Sequence, residues 1–427
     1  MTRSFEVHKY SIDNLCRLLS RKSNSEEYAI SQKPHLQYFE SYFGALEAKT
    51  ILVENTYIDK DYLEDYSAYY VRSFHDYSRK CFRFHFFNKR FTKKSFLKIL
   101  ERLNPDTVNI ANLQCFYLGF IVVKPIPQTI IGRTCLKTYP PLDRRHFPII
   151  RKYTANLFGI NLDIDSIAYQ EQDSIVAACA TSALWSVFQG TGLLFQHGIP
   201  SPVEITKTAI QHLPFETRYF PNKGLFPEQM AAAIRKIGLE PYLVKIEDYF
   251  VLTSTIYAYL KQGIPHILGI KLYDITGNIE YLGRHAVAVT GYSLDRSKNP
   301  ITNSQYPKLT STWIDKLYVH DDQIGPFARM ELDNDGTLNS DSLSTSWRDK
   351  AGGNTKVRAE PEILLFPLYH KIRIPFHLIY SIVLHLDQLT KSINNYLKVN
   401  TFSDIEWDIY LTTVEQEKNT FCYLALN

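Results

Sequence analysis

Apolar residues along the chain fall into two kinds of run, strand-like and helix-like, separated by proline, glycine and polar clusters. In the first 150 residues, 51–57 and 116–123 are rich in β-branched and aromatic residues and predict strands. The run 96–103 predicts a helix that stops at Asn104-Pro105, because the residue before proline is pushed out of the helical region. The stretch P-I-P-Q-T-I-I-G-R-T at 125–134 predicts an edge strand reached through proline turns. Further on, helices are predicted from Cys179 to about Phe188, ending near Gly190, and over 203–212, 227–237 and 249–262. Gly238 and Gly263 are the stops of the last two. Strand-like runs follow at 265–272, 285–292, 316–320 and 326–332. Helices first and antiparallel strands afterwards is an α+β pattern.

A polar stretch, 333–358, is rich in Asp, Ser, Gly and Asn and reads as a long loop or linker. Beyond it come a strand-like run at 363–368, a helix at 376–398, and closing strand-like runs at 407–414 and 420–426. The expected organisation is α+β throughout. An N-terminal α+β domain of unknown role occupies 1–150, a central domain 151–335 and a polar loop 336–358. A C-terminal region, 359–427, packs on the core.

Composition narrows the class. A chain of 427 residues exceeds one ordinary core, so two or three domains are expected. With 45% hydrophobic residues it is globular. The formal charge of +4 is too small for this length to identify a partner. Six cysteines (Cys16, Cys81, Cys115, Cys135, Cys179 and Cys422) are scattered without a C-x-x-C pair, which predicts a reducing, cytoplasmic setting. The opening M-T-R-S-F-E-V-H-K-Y lacks the apolar core of a signal peptide. The longest apolar run, 374–386, is interrupted by Pro375, His377 and His385, so no membrane span is expected.

The chemistry concentrates in two segments. One is Y-Q-E-Q-D-S-I-V-A-A-C-A-T-S-A-L-W at 169–185, and the other is G-R-H-A-V-A-V-T-G-Y at 283–292. A thiol is a useful nucleophile as thiolate, and a helix N-terminus beside an imidazolium favours that form. Acyl transfer by such a thiol needs a base, a group to orient the base, and an oxyanion hole. Cys179 is the candidate nucleophile and His285 the candidate base. Asp321 and Asp322 end the next strand, where a carboxylate can bond the second ring nitrogen. The Cys179 N–H and a side-chain amide, Gln172 or Gln170, are candidate oxyanion donors. Taken singly, each residue has a plainer reading: a buried helix cysteine, an edge histidine, a solvated turn. Their joint order carries the argument. Cys179, His266, His285 and His320 lack zinc-ligand spacing, so no metal and no cofactor are expected.

These segments resemble the papain-like cysteine peptidases, nearest the compact bacterial branch that includes the bacteriocin-processing (double-glycine leader) peptidases. The matching elements are Gln172, Cys179, G-I-P-H-I-L at 263–268, H-A-V-A-V-T-G-Y at 285–292 and Y-V-H-D-D at 318–322. The segment G-L-F-P-E-Q-M-A-A-A-I-R-K-I-G-L resembles the family's helix between Cys and His. The resemblance covers about 165–335. It implies a Cys-helix with an antiparallel sheet, and cleavage of an amide or thioester of a protein or peptide substrate through an acyl-enzyme. It implies Cys179, His285, Asp321 and Gln172 as the catalytic residues. The departures are Ala180 where glycine is usual, Asp322 where proline is usual, a Gln172 slightly farther from the cysteine, and a longer Cys-to-His span.

A second signal is the basic segment 78–98, S-R-K-C-F-R-F-H-F-F-N-K-R-F-T-K-K-S-F-L-K. Basic groups interleaved with aromatics suit single-stranded nucleic acid. The alternative function is therefore a non-enzymatic binding protein that contacts nucleic acid through Arg79 to Lys98. The simpler reading makes Phe82, Phe84 and Phe86 the inner face of a strand, with Arg83 and His85 outward. Protein partners through the flanking domains remain open.

Overall fold

The computed structural model describes residues 4–101, 113–127, 129–140, 142, 144–173, 178–211, 224–298, 307–332, 338, 341–347, 356–372, 376–398 and 405–412. The chain is a mixture of helices and antiparallel sheets, an α+β protein. The first part contains β1 (Phe5–Lys9), α1 (Ile12–Ser23), α2 (Glu27–Ser31), α3 (Pro34–Ala45), β2 (Thr50–Tyr57), α4 (Lys60–Ala68), β3 (Cys81–Phe87), α5 (Lys93–Glu101), β4 (Tyr117–Val123) and β5 (Ile131–Leu136). Its five strands form one sheet in the order β1-β2-β3-β4-β5. The stretch 125–134 thus contributes to an edge strand, and the helix at 96–103 begins earlier, at Lys93.

This sheet is covered on both faces. Phe84, Phe86, Ile51 and Val53 share a core with Leu15, Leu19, Phe39 and Phe43 of α1 and α3. Phe87, Leu52, Phe120 and Val122 share another with Leu157, Leu162 and Trp185. Arg83 and His85 are therefore buried rather than outward. The Arg83 Nε donates to Glu54 Oε2 at 2.9 Å, its Nη2 donates to the Asn156 carbonyl, and the guanidinium stacks over Tyr57 at 4.1 Å. His85 Nδ1 meets the Tyr117 hydroxyl at 2.9 Å. Period-two alternation was right, but a second layer covers the face expected to meet water.

Next come β6 (Arg145–His146) and the hairpin β7 (Arg151–Leu157) and β8 (Ile160–Ser166). Phe158 and Gly159 make its turn at φ 51° and 90°, both in the left-handed region that two-residue hairpin turns require. Then follow α6 (Cys179–Phe195), α7 (Pro202–Ile210), α8 (Pro227–Lys236), β9 (Glu240–Lys245), α9 (Tyr249–Leu260), β10 (His266–Asp274), β11 (Glu280–Leu294), β12 (Ile314–Asp321), β13 (Gly325–Leu332), β14 (Leu343–Ser344), β15 (Val357–Leu368) and α10 (Phe376–Leu397).

Strands β10-β11-β12-β13-β14-β15 pair in sequence, all antiparallel, and β15 pairs back onto β10. The six close into a ring, which removes the exposed edges of an open sheet. Strand β9 adds to β15 and β6 adds to β11. Val357–Leu368 is thus a strand of the central sheet, although the sequence placed most of it in the C-terminal region. The polar stretch before it contributes β14.

Two local expectations change. Helix α6 runs through Gly190 to Phe195 and ends on Gln196 in the left-handed conformation. Gly190 serves packing instead of termination, since a Cβ there would lie 2.9 Å from the Pro265 ring. Among the described residues of 407–414 there is one isolated bridge, Trp407 to Leu309, and no strand. The run 420–426 lies outside the described residues. No described helix is long and apolar enough to cross a membrane.

Candidate active site

Cys179 is the first residue of α6. The N-cap is Ala178, which has no side-chain oxygen, so the first-turn amides are not consumed by a capping side chain. Ala180, Ala183 and Leu184 of this helix share a core with Ala286 and Ala288 of β11, while Val287 and Val289 fill the opposite face. The A-V-A-V alternation thus puts small residues where the helix crosses the strand. Gly291 permits a second close approach, because a Cβ there would meet the His146 carbonyl at 2.6 Å. Cys179 itself is half-buried.

His285 lies on β11, opposite Ile270 of β10, and is 5% exposed. Its Nε2 is 3.1 Å from Asp321 Oδ1, at the end of β12. Asp321 is held on every side. Oδ1 also accepts the Gln323 N–H at 3.1 Å, and Oδ2 accepts the Trp347 indole N–H at 2.6 Å. The Trp347 ring meets the His285 ring edge-on, with centroids 5.1 Å apart. Burial alone would lower the His285 pKa. The Asp321 charge and hydrogen bond, together with a hydrogen bond to Cys179, outweigh it and raise the pKa well above the ordinary value. Burial would likewise raise Asp321, but His285, Trp347 and the Gln323 amide hold it below the ordinary carboxylate value. Cys179, His285 and Asp321 therefore meet in one place, from three elements far apart in sequence.

Asp322, expected in a turn or cap, is also buried and faces the same histidine, with Oδ1 3.5 Å from Nε2. Among the described residues neither of its carboxylate oxygens has a hydrogen-bond partner. Burial and the neighbouring Asp321 charge push its pKa up to about 7, against the opposing pull of His285. His285, Asp321 and Asp322 offer three ligand atoms within 4.8 Å of one another, enough in principle for a metal ion. Yet both Asp321 oxygens are already engaged by N–H donors. The donor set fits an oriented histidine better than a metal.

The upstream segment lies against β5, joined to it by an isolated bridge from Tyr169 to Thr134. Tyr169 and Thr134 exchange backbone hydrogen bonds of 2.9 and 2.8 Å, and Glu171 N donates to the Ile131 carbonyl at 3.0 Å. The Glu171 carboxylate is buried, accepts the Ile131 N–H at 3.0 Å and pairs with Lys33. Gln170 is buried, and its Nε2 has no partner among the described residues. Gln172 is half-buried, and among the described residues it makes no hydrogen bond with Cys179 or His285. Residues 174–177, between Gln172 and Cys179, lie outside the described set.

His266 and His320, the other histidines beside the matched strands, are engaged elsewhere. His266 packs its ring 4.5 Å from Phe366, and His320 lies between Tyr169 and Phe327 with Nδ1 3.4 Å from Ser186 Oγ. Burial lowers both to a pKa of about 3. Trp347 was not singled out in the sequence. Its only signal is an indole within a polar stretch. No protein-family model matches the chain, and no curated protein matches it.

Proposed function

We propose that the chain is a cysteine-nucleophile hydrolase with a papain-like central domain, acting on an amide or thioester of a protein or peptide through an acyl-enzyme. The observation that carries this reading is the convergence of Cys179, His285 and Asp321, with Asp321 fixed by three N–H donors. Asp321 occupies Nε2 of His285, which leaves Nδ1 for the sulfur. A cysteine-first helix packed on a closed antiparallel ring agrees with the papain-like pattern read in the sequence.

In this chemistry His285 takes the proton of the Cys179 thiol, and the sulfur attacks the carbonyl carbon. The carbonyl π electrons move onto oxygen, where the amides opening α6 and a glutamine amide stabilise the charge. Collapse expels the amine or thiol, which leaves with the proton from His285. Water then attacks the thioester and passes its proton to His285. The carboxylic acid departs, and the thiol recovers its proton. Transfer to an amine in place of water uses the same intermediate.

The test is a stopped-flow assay with a p-nitrophenyl ester, followed by intact-mass analysis. One acyl equivalent on Cys179 in the wild type, and none in Cys179→Ala or His285→Ala, is the expected result. Removing a triad member costs several orders of magnitude in turnover. Acylation that persists in Cys179→Ala would sink the proposal.

A further inference from the structure

The first turn of α3, far from the cysteine in sequence, reaches under the site and touches both of its halves. His35 is buried, with 2% exposure. Its Nε2 lies 3.1 Å from the Asp322 carbonyl oxygen and 2.9 Å from the Tyr169 hydroxyl. A carbonyl only accepts, so Nε2 carries the hydrogen. Burial brings the His35 pKa down to about 4, so the ring is neutral at pH 7 and holds that single hydrogen. Tyr169 belongs to the segment that carries Gln170 and Gln172. Asp322 follows the carboxylate that orients His285.

The neighbours of His35 on α3 reinforce the same contact. Lys33, the N-cap, pairs with Glu171 between the two glutamines. Tyr38 donates its hydroxyl hydrogen to the Pro326 carbonyl, and its ring lies where a Cβ on Gly325 would be, 2.4 Å away. Gly325 is the residue paired with Asp321. One helix end therefore grips the glutamine segment and the Asp321 turn together.

We propose that His35 is a positioning residue of the acyl-transfer site, setting the placement of the glutamine segment relative to the Asp321–Asp322 turn. The inference rests on the acyl-transfer reading above. Its physical basis is that misplacing reacting groups by an ångström can cost about a hundredfold in rate, even when the altered residue touches no substrate.

The experiment compares His35→Phe, His35→Gln and Tyr169→Phe in the full chain. Phe keeps the ring volume and removes the donor, whereas the Gln amide restores a donor near Nε2. Tyr169→Phe removes only the hydroxyl. The readouts are kcat and KM on the p-nitrophenyl ester, the melting temperature, and the titration midpoint of His285 by NMR. In His35→Phe, kcat should fall about tenfold or more with KM little changed, and the His285 midpoint should move. His35→Gln should recover most of both, and Tyr169→Phe should show a smaller effect of the same sign. Wild-type kcat and an unmoved His285 midpoint in His35→Phe would overturn the proposal. Equal loss in His35→Phe and His35→Gln, tracking a lowered melting temperature, would also overturn it, because packing alone would then explain the effect. If His35→Phe fails to fold, Tyr169→Phe decides: a wild-type kcat and an unmoved midpoint there overturn the proposal. A wild type without Cys179-dependent turnover would remove the acyl-transfer reading instead, and the His285 midpoint would still test the brace.

Discussion

Replacing Asp322 by Asn should change how stability depends on pH, and the structure sets the sign. Asp322 is buried, its carboxylate oxygens have no hydrogen-bond donor among the described residues, and its pKa rises from the ordinary 3.8 to about 7. Between those values the folded chain holds a proton that the unfolded chain has released. Stability then falls as pH rises, at about 1.4 kcal/mol per pH unit. The contribution is fully present below the unfolded pKa and lost as pH passes the folded one. A shift of roughly three units corresponds to a total on the order of 4 kcal/mol. An Asn side chain does not titrate. It introduces an amide with its own packing cost, but that cost is constant with pH. Urea denaturation at several pH values between 4 and 9 isolates the slope. Relative to Asp322→Asn, the wild type should lose stability steadily from about pH 4 to 7 and level off above. A stability difference that stays constant across this range would refute the reasoning, and would mean that Asp322 is ionised in the folded chain at low pH.

Three further outcomes follow from the same geometry. Trp347→Phe keeps the ring beside His285 but removes the 2.6 Å bond to Asp321 Oδ2. A hydrogen bond to a charged group is worth about 1.5–3 kcal/mol, so the His285 titration midpoint should drop and turnover should fall about tenfold. Gln172→Ala should lower turnover by roughly a hundredfold while leaving Cys179 alkylation nearly unchanged, because the amide acts on the tetrahedral intermediate. A crippled Gln170→Ala beside an unaffected Gln172→Ala would move that role to the buried amide. With iodoacetamide at neutral pH, Cys179 should react fastest. Cys16, Cys81 and Cys135 are buried, and burial raises their pKa values. Cys115 is exposed and is therefore the stringent comparison. Mass-spectrometric rates showing Cys115 faster than Cys179 would contradict the reading.

What the sequence disclosed depended on how locally each feature is encoded. Helix α6, the A-V-A-V strand and the aspartate pair each carry their signal within a few residues, and each appears near its expected place. Helix α1 was not among the elements read from the sequence, although Ser11 caps it and buried Leu15, Leu18 and Leu19 lie at helical spacing. The face on which Arg83 and His85 lie could not be assigned from β3 alone. Its covering residues, Leu157 and Leu162, come from a hairpin some seventy residues later. The same holds for Trp347 and Asp322. Whether an indole or a carboxylate faces His285 depends on which strand brings its loop back, and no local pattern records that.

The N-terminal region is bound into the site by hydrogen bonds that cross the boundary expected near residue 150. Strand β5 would be an exposed edge, able to pair with any extended chain. The segment from Tyr169 to Glu171 occupies that edge and is clamped there by the Lys33–Glu171 pair. A buried ion pair of this kind adds little net stability, but breaking it leaves an uncompensated charge that costs about 3–5 kcal/mol. The pair therefore penalises any register that moves Glu171, and with it the neighbouring glutamines. Within the basic segment Phe84 and Phe86 pack against α1 and α3, so these two rings hold the helix whose first turn carries His35. The N-terminal sheet is thus the support on which the glutamine segment lies.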